Sequence, residues 1–166
     1  MEMRRLVPAD IAAYKAIRLE ALELAPEAFG SDLAEQRTMS DAEWLVRIGG
    51  SDDAYIVGAF EGGQLIGTAG FSRERRRKTR HKGGIWGVYV TPAARGQGVA
   101  RRLMAAILED ARHQEGLEQL TLAVVSENAA ALALYRQLGF TVYGTERHAL
   151  KLNERYLDEE LMLLFL

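Results

Sequence analysis

The sequence predicts a single α/β domain of the α+β kind, residues 1–166, in which a mixed sheet carries helices on both faces. Three observations predict it. The length suits one domain, and no repeat, low-complexity tract or Pro/Gly/Ser-rich linker divides the chain. Apolar periodicity alternates between helical and extended segments in the order βααββ, βαβα, ββ. A strand leads through a glycine-containing loop into an amphipathic helix at the centre, Val88 to Ala111.

Each element has its own signal. A short strand, Arg4–Val7, ends at Pro8. In the helix after it, Tyr14, Ile17, Ala21 and Leu24 share one face, and Pro26 stops it. Phe29-Gly30-Ser31-Asp32 reads as a loop. A second helix, Asp41–Ile48, has Ser40 as N-cap and Glu43 to complete a capping box; Gly49-Gly50 ends it. Tyr55–Phe60 and Gln64–Phe71 form a hairpin around Gly62-Gly63. Ile85–Val90 is a long strand. In the next helix Ala100, Leu103, Met104, Ile107, Leu108 and Ala111 make the apolar stripe, with Arg101, Arg102, Glu109 and Arg112 off it; Gly116 ends it. Leu120–Val125 is nearly all apolar, the pattern of a strand covered on both faces. A helix from Asn128 to Leu138 stops at Gly139, with Ala130, Ala131, Leu134 and Leu138 as its buried stripe. Two strands, Phe140–Leu152 and Tyr156–Leu166, flank a turn at Asn153-Glu154.

Composition narrows the function. There is no cysteine, which excludes disulfides, thiolate metal sites and a cysteine nucleophile. A net charge of −2 argues against nucleic acid or an anionic membrane as partner. The ten residues Arg73–Lys82 carry seven Arg and Lys, but no interleaved aromatic residue stacks on bases, so they read as a solvated hairpin tip. His81, His113 and His148 lack metal-ligand spacing, so no metal is expected. The N-terminus runs into no apolar segment of signal-peptide kind, and the longest apolar run, Leu161–Leu166, is too short to span a bilayer. The expectation is a soluble, cytoplasmic protein.

The chemistry concentrates in Val88-Tyr89-Val90-Thr91-Pro92-Ala93-Ala94-Arg95-Gly96-Gln97-Gly98-Val99-Ala100-Arg101. Gly96 and Gly98 permit a tight turn with no Cβ facing a ligand. The amides that open the helix have no intrahelical partner, and together with the positive helix end they suit a phosphate or pyrophosphate. Arg95, Arg101 and Arg102 add charge. A dinucleotide fingerprint fails here. Its third glycine is replaced by Arg101, and Thr91–Arg95 separate the first glycine from the strand.

Downstream, Asn128-Ala129-Ala130-Ala131-Leu132-Ala133-Leu134-Tyr135-Arg136-Gln137-Leu138-Gly139-Phe140 places Tyr135 at the edge of the helix stripe, where its ring packs and its hydroxyl reaches a cleft. The two blocks in this order and spacing resemble the GNAT superfamily of N-acetyltransferases, most strongly from Ile85 to Phe140. The resemblance implies an acyl-CoA N-acyltransferase fold with a mostly antiparallel sheet of six to seven strands. It also implies acetyl-CoA as cosubstrate, without a metal. It assigns Val88 and Val90 to backbone hydrogen bonds with the pantetheine arm, which lies in a gap beside their strand. Arg95 begins the signature, and the amides of Gly96, Gln97, Gly98, Val99, Ala100 and Arg101 hold the pyrophosphate. Asn128 contacts the pantetheine arm, and Tyr135 hydrogen-bonds the coenzyme sulfur.

Without cysteine, the economical route is direct attack of an amine on the thioester, with the Val90 amide polarising the carbonyl and Tyr135 assisting the leaving sulfur. Some relatives carry a glutamate where this chain has Ala123, so the general base is unassigned; Glu35, Glu74 and Trp86 through a water are the candidates. Phe29-Gly30-Ser31 is a candidate lining for the acceptor pocket, and Asp158 and Glu159 are candidates to hold a cationic amine. The expected acceptor is a small-molecule primary amine, followed by a peptide amine (a protein N-terminus or lysine). A non-catalytic acyl-CoA sensor is the reading from another class. A homodimer is compatible with all three.

Overall fold

The computed structural model describes residues Met1–Leu166. The elements in order are β1 (Glu2–Arg5), α1 (Ile11–Leu24), α2 (Leu33–Arg37), α3 (Asp41–Ile48), β2 (Gly49–Ser51), β3 (Ala54–Glu61), β4 (Gln64–Arg73), β5 (Lys82–Val90), α4 (Val99–Arg112), β6 (Gln119–Val125), α5 (Ala129–Gln137), β7 (Thr141–Leu152) and β8 (Arg155–Phe165). The strands form one sheet in the order β1-β3-β4-β5-β6-β8-β7, with β2 paired to β3 as an eighth strand. Every pairing is antiparallel except β5 with β6.

Local chemistry explains most boundaries. The Ser40 hydroxyl accepts the Glu43 amide at 3.3 Å, and the Glu43 carboxylate accepts the Ser40 amide at 2.7 Å, so both orphan donors that open α3 are satisfied. Gly62 and Gly63 both take positive φ at the β3–β4 turn. Asn128 caps α5, its Oδ1 accepting the Ala131 amide at 3.1 Å. Helix α2, stabilised by Asp32 accepting the Glu35 amide at 3.0 Å, is too short to show an apolar period in sequence.

The sheet separates two cores. On one face α4 and α5 bury Leu103, Met104, Ile107 and Leu132 against Phe71, Ile85, Leu120 and Met162. On the other, α1 and α3 bury Tyr14, Ile17, Ala21 and Trp44 against Ile56, Phe60 and Tyr89.

Four sequence expectations are corrected. Leu24 is exposed, because the last turn of α1 extends past the sheet and the buried face is Tyr14, Ile17, Arg18, Ala21 and Leu22. Helix α4 stops at Arg112, and Gly116 with φ of 71° belongs to the turn beyond it. Strand β6 is not covered on both faces along its whole length: Leu120, Leu122, Val124 and Val125 are buried and Thr121 half-buried, whereas Ala123 is exposed. On α5 the fully buried residues are Leu132 and Tyr135; Ala131, Leu134 and Leu138 pack against the core half-buried, Ala131 and Leu134 also line a cavity, and Ala130 is exposed at its edge.

Candidate active site

The cavity arises where the sheet comes apart. Strands β5 and β6 pair only from Lys82, Gly83 and Gly84 to Gln119, Leu120 and Thr121. Past that point β6 stays bound along its full length to β8, from Gln119 opposite Phe165 to Val125 opposite Glu159. Strand β5 meanwhile stays with β4, but with a bulge: Gly70 faces Trp86 and Thr68 faces Tyr89, so Ala69 alone spans Gly87 and Val88. Gly87 supplies this bulge with φ of 63°. The extra residue increases the local twist and bends β5 away from β6.

The result is a cavity of about 710 Å³ in the middle of the sheet. Val88, Val90, Leu122, Val124, Ala131 and Leu134 give it apolar walls. Two inward strand edges meet it without partners, and backbone groups in that position call for an extended ligand. The Thr91 amide donates to Ile66 O at 3.0 Å on the β4 side. By strand alternation the peptide groups of Val90 and Val88 face the gap. Val90 O there accepts Arg95 Nε at 3.2 Å.

At one end lies the loop Arg95–Gly98. Gly96 and Gly98 both have φ of 75°, and a Cβ at either would meet nothing within 4 Å. Gly98 caps α4 from this left-handed conformation, so the helix starts abruptly at Val99. No amide from Gly96 to Arg101 donates to a protein acceptor; the first helical bond is Arg102 N to Gly98 O. A run of free, convergent amides at the positive end of a fourteen-residue helix is a receptor for a polyanion.

The side chains around the loop are less available than their charges suggest. Arg101 Nη2 donates to Gln137 Oε1 at 2.8 Å, tying α4 to α5. Gln97 Nε2 donates to Ala93 O at 3.1 Å. The backbone, not Arg101 or Gln97, therefore supplies the donors.

Tyr135 lines the cavity from α5 and is buried, its ring edge-on to Phe140 at 6.2 Å. No protein group hydrogen-bonds its hydroxyl; burial alone acts on it. Burial pushes its pKa up to about 12. It is a proton-bearing donor on a residue of the cavity lining.

Of the carboxylates proposed from sequence as base, neither reaches the site. Glu35 sits on α2, and Glu74 sits on the exposed turn between β4 and β5; only Trp86 lines the cavity. Asp158 is committed elsewhere, accepting from Arg147 at 3.0 Å and from the His148 amide at 2.8 Å, which hold its carboxyl below the usual range. Glu159 also lies outside the lining; burial, and then Glu146 opposite it on β7, push its carboxyl up. Phe29 does line the cavity, with Ala28 and Glu27 of the α1–α2 connection. Two carboxylates that sequence reading missed are present. Glu127 is paired with Arg155, whereas Glu27 makes no hydrogen bond or ion pair. No motif marks Glu27; only the packing of its connection against β6 and β7 brings it here. No group of three or more potential ligand side chains is placed to hold a metal ion. No helix is long and apolar enough to cross a membrane.

A sequence model of the acetyltransferase (GNAT) family matches residues 17–140. Mycothiol acetyltransferase of Salinispora tropica is 31% identical over 132 residues, 80% of this chain and 41% of that one. N-alpha-acetyltransferase RimI of Mycobacterium tuberculosis is 41% identical over 93 residues, 56% of each chain. The chain thus spans about two fifths to three fifths of the length of these curated relatives. The structure of yncA from Salmonella typhimurium, solved with its cofactor acetyl-CoA, superposes with a TM-score of 0.83 at 29% identity, covering 99% of this chain and 93% of that one. The matched stretch contains the bulged strand, the glycine loop, α4 and α5, and on these grounds the chain belongs to the GNAT family of acetyltransferases.

Proposed function

We propose that residues 1–166 act as one domain that transfers the acetyl group of acetyl-CoA to a primary amine of a small molecule, by direct attack in a ternary complex. The observation that carries this is the continuous path from the free amides of Gly96–Arg101, along the unpaired edge at Val90 and Val88, to the unpartnered Tyr135 hydroxyl. These residues fit the cosubstrate: a polyanion receptor, an apolar gap with open backbone groups, and a lone donor.

When bound, acetyl-CoA supplies the activated acetyl group. Amides from Gly96 to Arg101 hold its pyrophosphate. Val88, Val90 and Asn128 hold the pantetheine arm, with Arg95 beside Val90. Tyr135 keeps its proton. From a pKa of about 12, full transfer to a thiolate of pKa about 8.5 is uphill by roughly 5 kcal/mol. Its part is to donate a hydrogen bond that strengthens as negative charge develops on the leaving group. Glu27, the free carboxylate of the lining, accepts the acceptor's proton directly or through water.

The match to RimI favours a peptide amine as a second reading. Thiol release from acetyl-CoA, measured over small amines, amino acids and short peptides, separates the two. The enzyme reading is overturned if acetyl-CoA binds and no amine releases thiol, the behaviour of a sensor.

A further inference from the structure

Arg18 is a buried cation without an anion. It projects from α1 with only 5% of its surface exposed. Its one hydrogen bond runs from Nε to Gln36 Oε1 at 3.1 Å. Nη1 is enclosed and has no partner. The charged neighbour that acts on it is another cation, Arg47. Burial, followed by Arg47, pushes the Arg18 pKa down to about 10, which still leaves it protonated at neutral pH. Enclosing such a charge is strongly unfavourable unless an anion pairs with it. Of the two carboxylates on the same helix, Glu20 accepts from the Tyr89 hydroxyl at 2.8 Å and Glu23 faces Arg37 at 3.9 Å.

Both cations stand directly behind the cavity wall. The Arg18 guanidinium lies 4.7 Å from the Phe29 ring centroid, and Arg47 lies 5.1 Å from that of Trp86. Arg47 is further held by its Nε donating to the Tyr14 hydroxyl at 3.1 Å. Phe29, Trp86 and Gly87 line the cavity. A Cβ on Gly87 would stand 4.0 Å from Arg18 Nη1, so the bulge glycine leaves that wall thin. Neither guanidinium lines the cavity itself; each lies over an aromatic ring of its wall with its Nε bonded, and Nη donors left without a partner, as Arg18 Nη1 is, suit recognition of an oxyanion.

We propose that Arg18 and Arg47 form an oxyanion subsite for the acceptor, which is therefore an amine that also carries a carboxylate or a phosphorus-centred oxyanion, as an amino acid does. This deepens, and rests on, the acetyltransferase reading of the same cavity. A polyamine, which has no anion to offer, does not fit it.

The test is thiol release by the wild-type protein with matched acceptors: L-amino acids, their α-carboxamides, the decarboxylated amines, 1-aminoalkylphosphonates and a polyamine. The expected result is an anionic acceptor with kcat/KM at least about 100-fold above its carboxamide and its decarboxylated amine. The carboxylate and phosphonate arms show which oxyanion is preferred. Arg18→Gln should raise KM for that acceptor by about ten-fold or more while kcat and acetyl-CoA affinity stay within about two-fold, and Arg18→Lys should recover part of the loss. A purely structural role for Arg18 would not produce that split. If Arg18→Gln fails to fold, Arg47→Gln reads the same split. Equal or better turnover of carboxamides or polyamines overturns the proposal and leaves the acetyltransferase reading intact. Acetyl-CoA binding with no turnover of any anionic amine also overturns the proposal. Failure of acetyl-CoA to bind, measured by calorimetry, removes the underlying reading and the subsite with it.

Discussion

Gly84 stands opposite Thr121 as the last residue pair joining the two parallel strands, and Ile85 and Leu122, the next residue on each strand, already line the cavity. The distance from a closed sheet to an open ligand gap is one residue. Ala123 lies just past this point, exposed on β6 and facing the gap. Ala123→Phe should fill the gap without disturbing either core. Acetyl-CoA affinity by calorimetry should fall about ten-fold or more, with the thermal midpoint changed by no more than about 2 °C. Unchanged affinity would place the cosubstrate elsewhere.

Tyr135→Phe keeps the ring that packs against Phe140 and removes only the unpartnered hydroxyl. We expect kcat to fall about ten-fold or more, with acetyl-CoA affinity and stability nearly unchanged. With the Tyr135 pKa at about 12, the wild-type kcat profile should show no loss from its ionisation up to about pH 10. An unchanged kcat in the variant would reduce Tyr135 to packing.

Gly98 is surrounded by open space, so a side chain there clashes with nothing in the protein, although its φ of 75° strains any non-glycine residue. Gly98→Ala should cost about 1 kcal/mol of stability and part of the affinity. Gly98→Glu places a carboxylate beside the free amides and should abolish acetyl-CoA binding. Normal binding by Gly98→Glu would remove the polyanion site.

Glu27 is the cavity carboxylate with no protein partner. Glu27→Gln should lower kcat/KM about ten-fold at neutral pH, and the loss should shrink as pH rises towards the acceptor amine's own pKa. A pH-independent loss would instead assign Glu27 to binding.

The bidentate pair of Arg4 with Asp10, at 2.7 and 2.8 Å, and the Val7 amide on Asp10 at 2.8 Å fasten β1 to the start of α1. Arg4 holds the Asp10 carboxyl below its usual range. A depressed folded-state pKa adds stability above the unfolded value and loses it as pH falls through the folded one. Asp10→Asn should therefore cost about 1–2 kcal/mol at neutral pH, a difference that fades below about pH 4. Denaturant unfolding at two pH values checks this; an equal cost at both would locate the effect in packing.

What the sequence determined by itself was local. The capping box at Ser40 and Glu43, the Gly62-Gly63 hairpin, the loop Arg95–Gly98 before α4 and the helix that Gly139 ends all depend on residues within a few positions of one another. Their chemistry was therefore readable in order along the chain. The tertiary structure decided what those pieces enclose. Ala131 and Leu134 pack on the core and also line the cavity, because an apolar stripe reads the same whether protein or ligand covers it; the divergence of β5 from β6 leaves part of it open. That divergence depends on the register of β4 against Gly87 and on the grip of β8 on β6, pairings between residues far apart in the chain. The same holds for Glu27 and Arg18. Each is an ordinary helical or loop charge in sequence, and only the folding of the α1–α2 connection over the sheet brings one into the cavity and seals the other behind its wall.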